Sequence, residues 1–454
     1  MVNQQRSLGR VMATNSALSL ALPLTAVVTG PLLARALGAE GRGALVAVIA
    51  PTLFAASLVN LGLPTMCAYF GARGRRPRRT ALTLAMISAA VLGGLTSVAL
   101  ILLAPVLLPD YRHYWGVYYG VCATLPAMLA VESLRASAQA SGQYSTPIIE
   151  RALAVGTRCL GVVVLFAFGA LTVPTAAVAT WGPGAVVVLL YTAFAIRTIR
   201  TPAPAPAPAS VAVGSDVAAG ADRDEVQIGP MLRFAMLSWG GSVAGVLVLK
   251  LDQLMLVFLT SAAEIGYYIV AVSVSEIVVV AVVALREILT AQSASATGPS
   301  LVMRTARLVL YGGLLVAAAG AVACPVLLPL LFGADFTHAV LPTQILLVGA
   351  VFSGVSIVLG AGLAGAGRPG LFSTAQAFGV VVTVVAMLLL APRYGGIGAA
   401  AASSITYAAT ALVTILIYTR VASVACSDIL RPARGDLAPV LRLARRLRAG
   451  RKEL

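Results

Sequence analysis

Residues 246–258 read VLVLKLDQLMLVF, and apolar runs of this kind decide the fold class. Runs of about 18 or more residues that are almost free of charge recur along the whole chain. Of the 454 residues, 59% are hydrophobic and 11% are charged, whereas a soluble domain carries about a quarter charged residues. The runs are too long and too continuously apolar for the alternating strands of a membrane barrel. The sequence therefore predicts an all-α polytopic membrane protein.

Twelve apolar runs predict twelve membrane-spanning helices. The first run follows two arginines, as a signal peptide would, but it is too long for one and eleven more runs follow, so we expect a retained helix. The predicted spans cover residues 10–37, 43–71, 80–108, 113–141, 146–169, 172–196, 231–260, 264–291, 303–332, 336–366, 371–391 and 396–420.

Basic residues are distributed unequally between the two ends of these spans. With the N-terminus inside, 26 of the 32 Lys and Arg residues fall at inner ends, in inner loops or in the tail. Such an excess predicts that both termini are cytoplasmic. It also accounts for the net charge of +16 without a nucleic-acid partner, because the charge is spread over loops rather than over one basic face. Four basic residues fall on the outer side: Arg35, Arg42, Arg112 and Arg393.

No motif in the chain indicates a metal, a nucleotide or a catalytic site. The five cysteines show no CxxC spacing, and only two histidines are present. Nothing matches the glycine-rich phosphate loop of ATP-driven proteins. We therefore expect no metal and no cofactor, and a transporter rather than an enzyme.

A Pro/Ala-rich segment, RTPAPAPAPASVAVGSDVAAGADRDEV at 200–226, interrupts the apolar pattern. Its composition favours an extended and flexible chain. Because it lies between the sixth and seventh spans, it divides them into two equal groups. The predicted domains are a first six-helix lobe (1–199), a linker (200–228), a second six-helix lobe (229–424) and a basic tail (425–454).

The two groups of spans share short sequence features at nearly constant offsets. With six spans each, the lobes would have the same topology and would be related by a pseudo-twofold axis along the membrane normal, as in transporters with parallel repeats. The matching features are PVLLP at 105–109 and 325–329, Arg10 and Arg233, and Gly43 and Gly266.

Six segments, spread over both halves, together carry a family resemblance: RALGAEGRG (35–43), LVNLGLPTMCAYF (58–70), LDQLMLVFLTSAAEIGYYIVAVS (251–273), FGADF (332–336), LAGAGRP (363–369) and PRYGGIGAAAAS (392–403). They resemble segments of the bacterial polysaccharide flippases of the multidrug/oligosaccharidyl-lipid/polysaccharide exporter (MOP) superfamily. The resemblance implies a two-lobe transporter in the bacterial plasma membrane. It implies movement of an undecaprenyl-diphosphate-linked oligosaccharide from the inner to the outer leaflet by alternating access.

Three function classes stay open on the sequence alone. A lipid-linked oligosaccharide flippase and an ion-coupled multidrug antiporter share one fold, but Arg158 and Lys250 inside the membrane favour an anionic cargo. A glycan polymerase or glycosyltransferase is disfavoured by the short outer loops. The expected partners are the glycolipid and anionic lipid at the basic tail. Glycan polymerases or glycosyltransferases are candidate protein partners, and we expect the chain itself to be a monomer.

Three arginines are candidates for binding the substrate. Arg158 lies near the middle of the fifth span, where a planar guanidinium can bind phosphate oxygens at two points. The alternative for Arg158 is an ion pair within its own lobe. Arg10 and Arg233 occupy matching places at the inner mouth, where they could collect an anionic headgroup or only anchor the helices.

Charges inside the membrane are costly and usually face the bundle interior. Lys250 and Asp252 are two residues apart on one helix, so they point to opposite faces and cannot pair with each other. Lys250 is a further candidate for substrate binding, with a cargo phosphate, Glu276 or the outer headgroup layer as its partner. Asp252 and Glu276 are candidates for coupling transport to a proton or Na⁺ gradient.

Glu132 and Arg135 lie three residues apart near the inner end of the fourth span. Side chains at this spacing share one helix face. We therefore predict that these two residues form a structural ion pair rather than part of a binding site.

Overall fold

The computed structural model describes residues 2–71, 75–141, 143, 145–182, 191, 228–293 and 298–431. All regular structure in these residues is helical, which confirms the predicted all-α fold class. Residues 200–227 of the predicted linker and the tail beyond residue 431 lie outside the described residues. The predicted domain boundaries therefore stay predictions.

In its described residues, the first half of the chain combines four helices of 16 to 58 residues with four short helices of 4 to 9 residues. Short breaks separate α1 from α2 and α5 from α6. A six-residue 3₁₀ helix, Pro109–Tyr114, links α4 to α5. The helices are α1 (Val2–Val59), α2 (Leu63–Gly71), α3 (Arg75–Leu102), α4 (Ala104–Leu107), α5 (Trp115–Ala123), α6 (Leu125–Ala140), α7 (Ser145–Ala167) and α8 (Val173–Trp181).

The second half has fewer and longer helices. A 3₁₀ helix, Ala334–Ala339, lies between the third and fourth of them. Each of the two 3₁₀ helices thus lies where the third predicted span of its half meets the fourth. The helices are α9 (Ile228–Leu259), α10 (Ala262–Ser293), α11 (Gly298–Phe332), α12 (Val340–Gly365), α13 (Pro369–Ala422) and α14 (Cys426–Leu430).

Two glycines break the longest helices. Gly38 in α1 has φ 66° and Gly395 in α13 has φ 55°, a region that glycine adopts without steric cost. As one straight rod, α13 would be about 80 Å long, far beyond the bilayer core of about 30 Å. Instead the chain folds back at Gly395, and the hydroxyls of Thr383 and Thr406 bond at 3.1 Å across the hairpin. This element is therefore two antiparallel helices, as the last two predicted spans require.

Seven described helical segments are long and apolar enough to cross a membrane, or eight if the bent pair Ile228–Gly240 and Val243–Leu259 forms one span. One of the seven is the α13 hairpin. The chain is thus a multi-pass membrane protein. Not all twelve predicted spans are found among the described residues. Part of the predicted span 172–196 lies outside them, and α7, although described, is not among the segments that are long and apolar enough.

Small and hydroxylated residues allow close helix packing in the second half. Gly349 faces the backbone of α13, where a β-carbon on it would lie 2.9 Å from Cα of Ser404. The hydroxyls of Ser356 and Thr414 bond at 3.2 Å between α12 and α13. Contacts of this kind hold helices together in lipid, where burial of apolar surface gives no driving force between helices.

The two halves contact each other at both ends of the helices. The end that holds the helix breaks at Gly38 and Gly395 is called the arginine-poor end, and the opposite end the arginine-rich end. At the arginine-rich end, Trp239 donates from Nε1 to the Leu58 carbonyl oxygen at 2.9 Å. At the arginine-poor end, Arg35 donates from Nε to the Leu331 carbonyl oxygen at 2.9 Å.

Candidate functional site

Asp252 is a buried carboxylate in the interior of the second half. It lies on a stripe of α9 in which Val248 and Leu256, one turn to either side, are also buried. Val248 packs on Gly379 of α13, where a β-carbon would lie 3.1 Å from a methyl group of Val248. The spacing of four residues puts the three side chains on one face. The fold therefore directs Asp252 into the helix packing and away from the surface.

Hydroxyl groups from two other helices surround this carboxylate. Tyr268 of α10 donates a short hydrogen bond to Asp252 Oδ2. Ser403 of α13 donates to the same oxygen at 3.0 Å, and the Gln253 backbone N–H donates to Oδ1 at 2.7 Å. The Ser403 and Tyr268 hydroxyls also lie 2.9 Å apart. Buried polar groups require such partners, and here a carboxylate and two hydroxyl oxygens converge on one point.

Asp252 forms no ion pair with the residues that the structure describes, and its polar partners there are these hydrogen-bond donors. Burial of an ionised carboxylate is costly without a counter-charge. A proton or a small hard cation would remove that cost, and oxygen atoms are the ligands that hard cations take. Within the described part of the chain there is no group of three or more His, Cys, Asp or Glu residues for a metal.

Lys250 lies on the other side of α9 and pairs with Glu276 of α10. Nζ and Oε1 are 3.3 Å apart, and 42% and 49% of the two side chains are exposed. The expectation that Lys250 and Asp252 face opposite ways is confirmed. Of the three partners left open for Lys250, the structure shows Glu276. The two charges therefore compensate each other, and their roles in transport stay predictions.

Exchanging the two charges tests whether this pair acts as a unit. We expect Lys250→Glu and Glu276→Lys each to lower transport, because each places two like charges together. The double exchange should restore most of the activity, since opposite charges again face each other. Transport by the three variants in vesicles checks this result. If the double exchange is no more active than the single variants, the two residues do not act as a pair.

Helix α7, which carries Arg158, packs against α1, which carries a second arginine that the sequence did not single out as a site residue. Arg42 of α1 is close enough for the two positive charges to repel each other, and Arg42 is only 9% exposed. The buried Nε atoms of both side chains lack a hydrogen-bond partner, and neither residue forms an ion pair with a described acid. Two guanidinium groups on packed helices, neither in an ion pair with a described acid, favour an anionic ligand.

The predicted ion pair between Glu132 and Arg135 is corrected by the structure. Arg135 bonds instead to Glu150, with Nε and Nη2 at 2.8 and 2.9 Å from the two carboxylate oxygens. Glu132 accepts from Asn60 Nδ2 at 2.9 Å. The α6–α7 turn brings Glu150 opposite Arg135, and a carboxylate there can meet both guanidinium nitrogens in one plane. A neighbour three residues away on the same helix does not take that position here.

Comparison with known proteins adds the family to this geometry. Residues 12–287, more than half of the chain, match the family model described as polysaccharide biosynthesis protein. The chain belongs to the polysaccharide biosynthesis protein family. Comparison with curated proteins gives no sequence match.

Solved structures with the same fold are transporters of the MOP superfamily. An inward-facing multidrug resistance MATE family transporter has a TM-score of 0.68 at 12% identity, with 90% of this chain and 98% of that one covered. The lipid II flippase MurJ in an inward closed conformation has a TM-score of 0.69 at 11% identity, with 91% and 89% covered. A MOP superfamily transporter from Pyrococcus furiosus has a TM-score of 0.63 at 13% identity, with 91% and 96% covered. At these identities the likeness shows that the chain has the fold of these transporters.

Two further candidates for substrate binding in this polysaccharide biosynthesis family member, Arg233 and Arg10, have no described contact that indicates a role. Arg233 is exposed near the start of α9. The side chain of Arg10 lies outside the described residues. Both stay predictions. Arg42 was assigned to the outer side from its position between two spans, and only its neighbour Arg158, more than a hundred residues away in the sequence, shows that it belongs with the buried charges.

Proposed function

We propose that this protein is a flippase for a polyprenyl-diphosphate-linked oligosaccharide. The observation that carries the proposal is the pair of unneutralised arginines, Arg42 and Arg158, in the first half. A diphosphate presents two adjacent anionic groups, and two guanidinium groups can meet them with charge-assisted hydrogen bonds. The polysaccharide biosynthesis family and the flippase among the structural neighbours support the same cargo class.

The setting proposed for this activity follows the distribution of charge. The arginine-rich end would face the cytoplasm, with both termini there, in the bacterial plasma membrane. Movement from the inner to the outer leaflet would occur by alternating access, with the chain as a monomer. Glycan polymerases or glycosyltransferases would supply or consume the glycolipid, and the basic tail would contact anionic lipid.

A multidrug antiporter of the same superfamily is the alternative, since such transporters share the fold. Its cargo would be an organic cation, and two arginines without a counter-charge would repel it. The buried Asp252 offers a negative charge, but its hydroxyl partners enclose it in the second half. The charges of the first half therefore favour the anionic cargo.

The direct test is flipping in vesicles of the purified protein with a fluorescent polyprenyl-diphosphate oligosaccharide and a quencher outside. We expect Arg42→Ala and Arg158→Ala each to slow flipping about tenfold to a hundredfold, since a hydrogen bond to a charged group contributes about 1.5–3 kcal/mol. Arg158→Lys should retain part of the rate, because it keeps the charge and loses the planar fork.

The matched control is Arg393→Ala, an exposed arginine at the arginine-poor end, which should flip at the native rate. Efflux of organic cations without glycolipid flipping would refute the proposal in favour of the antiporter. Equal rates for the native protein and for Arg42→Ala and Arg158→Ala would remove the pair as the cargo contact.

A further inference from the structure

Two short segments of the same design meet at the arginine-poor end. Ala39 and Gly43 lie four residues apart directly after the helix break at Gly38, and Ala262 and Gly266 lie four residues apart in the first turns of α10. Residues at this spacing share a helix face. Small residues separated by three positions allow two helix backbones to approach closely. The two segments are called the first and second clasp segments.

The clasp segments contact each other reciprocally, backbone against backbone. A β-carbon on Gly43 would lie 2.6 Å from the carbonyl carbon of Ala262, and closer still to its oxygen. A β-carbon on Gly266 would lie 2.8 Å from the carbonyl carbon of Ala39, again closer to the oxygen. Neither position has room for any side chain. The two contacts have nearly the same geometry.

The partners in these contacts are related by one sequence offset. Gly43 and Gly266 differ by 223 positions, and so do Ala39 and Ala262. Gly43 contacts Ala262, and Gly266 contacts Ala39 in the same way. Such a pair of equivalent contacts has the form of an isologous interface around a twofold axis. The repeat seen in the sequence is therefore expressed as a physical contact between the halves.

We propose that the two clasp segments are the closure of the cleft between the halves at the arginine-poor end, and that the absence of a β-carbon at both glycines is what permits it to close. Arg35 is the accompanying contact, with hydrogen bonds to the Leu330 and Leu331 carbonyl oxygens of the second half. The proposal does not depend on which cargo crosses the membrane.

The contacts on the two sides of the clasp differ in kind. The second clasp segment is held to its own half, because Glu264 accepts from the Gly396 backbone N–H at 2.6 Å and Tyr268 bonds to Asp252. Between the clasp segments, the described residues show no ion pair. The contact there is close backbone packing, and Ala39 joins a hydrophobic cluster with Val270 and Phe336 of the second half. Separation of the clasp segments therefore breaks no ion pair among the described residues.

A cavity of about 630 Å³ borders the clasp. Its walls include Glu40 and Gly41 from the first clasp segment and residues 260–262 from the second half. Its lining also includes the polar side chains of Asp110 and His113. Because this cavity already reaches between the two halves, separation of the clasp segments would widen it into the cleft.

Spin labels at exposed positions of each half measure the separation. One label is placed by His113→Cys and the other by Tyr394→Cys, with Cys159 and Cys426 replaced by serine. Pulsed electron paramagnetic resonance measures the distance between the two labels. In Gly43→Ala and in Gly266→Ala, this distance should be several ångströms longer than in the protein with both glycines. The shifts should be alike, because the two contacts are equivalent.

Gly94→Ala is the matched control, since a β-carbon at Gly94 in α3 has nothing within 4 Å; its distance distribution should be unchanged. Labels at positions 79 and 368, at the arginine-rich end, should not move apart in any variant. An unchanged distribution in either glycine variant would overturn the proposal. If both alanine variants fail to insert into the membrane, Arg35→Gln replaces them as the test, because it adds no bulk. A longer distance between the labels at positions 113 and 394 in this variant supports the clasp, and an unchanged distance refutes it.

Discussion

Replacing Glu150 with alanine should lower the stability of the protein by about 3–5 kcal/mol, the cost typical of leaving one partner of a buried ion pair alone. Glu150 is 4% exposed, and both of its carboxylate oxygens bond to Arg135. Tyr191 adds a hydrogen bond to the same carboxylate at 3.4 Å. Without Glu150, the charge of Arg135 stays in the helix packing with no opposite charge at that side.

Thermal unfolding in detergent measures this effect as a lower midpoint. The double variant Arg135→Leu with Glu150→Leu should recover most of the loss, because it removes both charges and keeps the volume. Asp110→Ala, at an exposed position, should melt like the native protein. A native midpoint for Glu150→Ala would show that the ion pair contributes nothing to stability.

Replacing Asp252 with asparagine should abolish the dependence of transport on an ion gradient. The amide keeps the size of the carboxylate, but it takes up no proton at physiological pH and has no negative charge to attract a cation. The reason for choosing Asp252 over Glu276 is structural, since Glu276 is already paired with Lys250 whereas Asp252 forms no ion pair with the described residues. This proposal assigns the ion-coupling role to the buried carboxylate.

The measurement is transport into vesicles with and without an imposed proton or Na⁺ gradient. The native protein should respond to one of the two gradients, and Glu276→Gln should respond like it. Ser403→Ala should still respond but need a higher ion concentration, because one oxygen of the site is lost. A gradient response that persists in Asp252→Asn, or that disappears in Glu276→Gln, would reverse the assignment.

The sequence predicted the class of fold because the bilayer imposes a simple rule. Each span needs a long apolar run, and backbone groups in lipid must bond within the helix. Such runs are visible residue by residue. The same is true of the helix breaks, since glycines such as Gly38 and Gly395 fall between runs. The opposite directions of Lys250 and Asp252 also follow from helix geometry alone.

The partners of the charges could not be predicted in this way. Arg135 was matched to Glu132 because they share a helix face, yet Glu150 on the next helix offers the better geometry. Arg42 was assigned only to the outer side of the membrane, whereas the fold buries it within electrostatic range of Arg158. Pairing between helices depends on their relative rotation and depth, and one sequence carries no signal for either.

By itself, then, the sequence determined that the chain is a helical membrane protein whose two halves repeat the same sequence features. Hydropathy can be read from each stretch of residues alone, and the repeat can be read from the constant offset of 223 positions. Only the tertiary structure decided which residues meet. It brought Tyr268 and Ser403 to Asp252, Glu276 to Lys250, and the glycines of the two clasp segments into mutual contact. The physical reason is that a contact across the packed helices requires the positions of both partners, and those exist only in the folded protein.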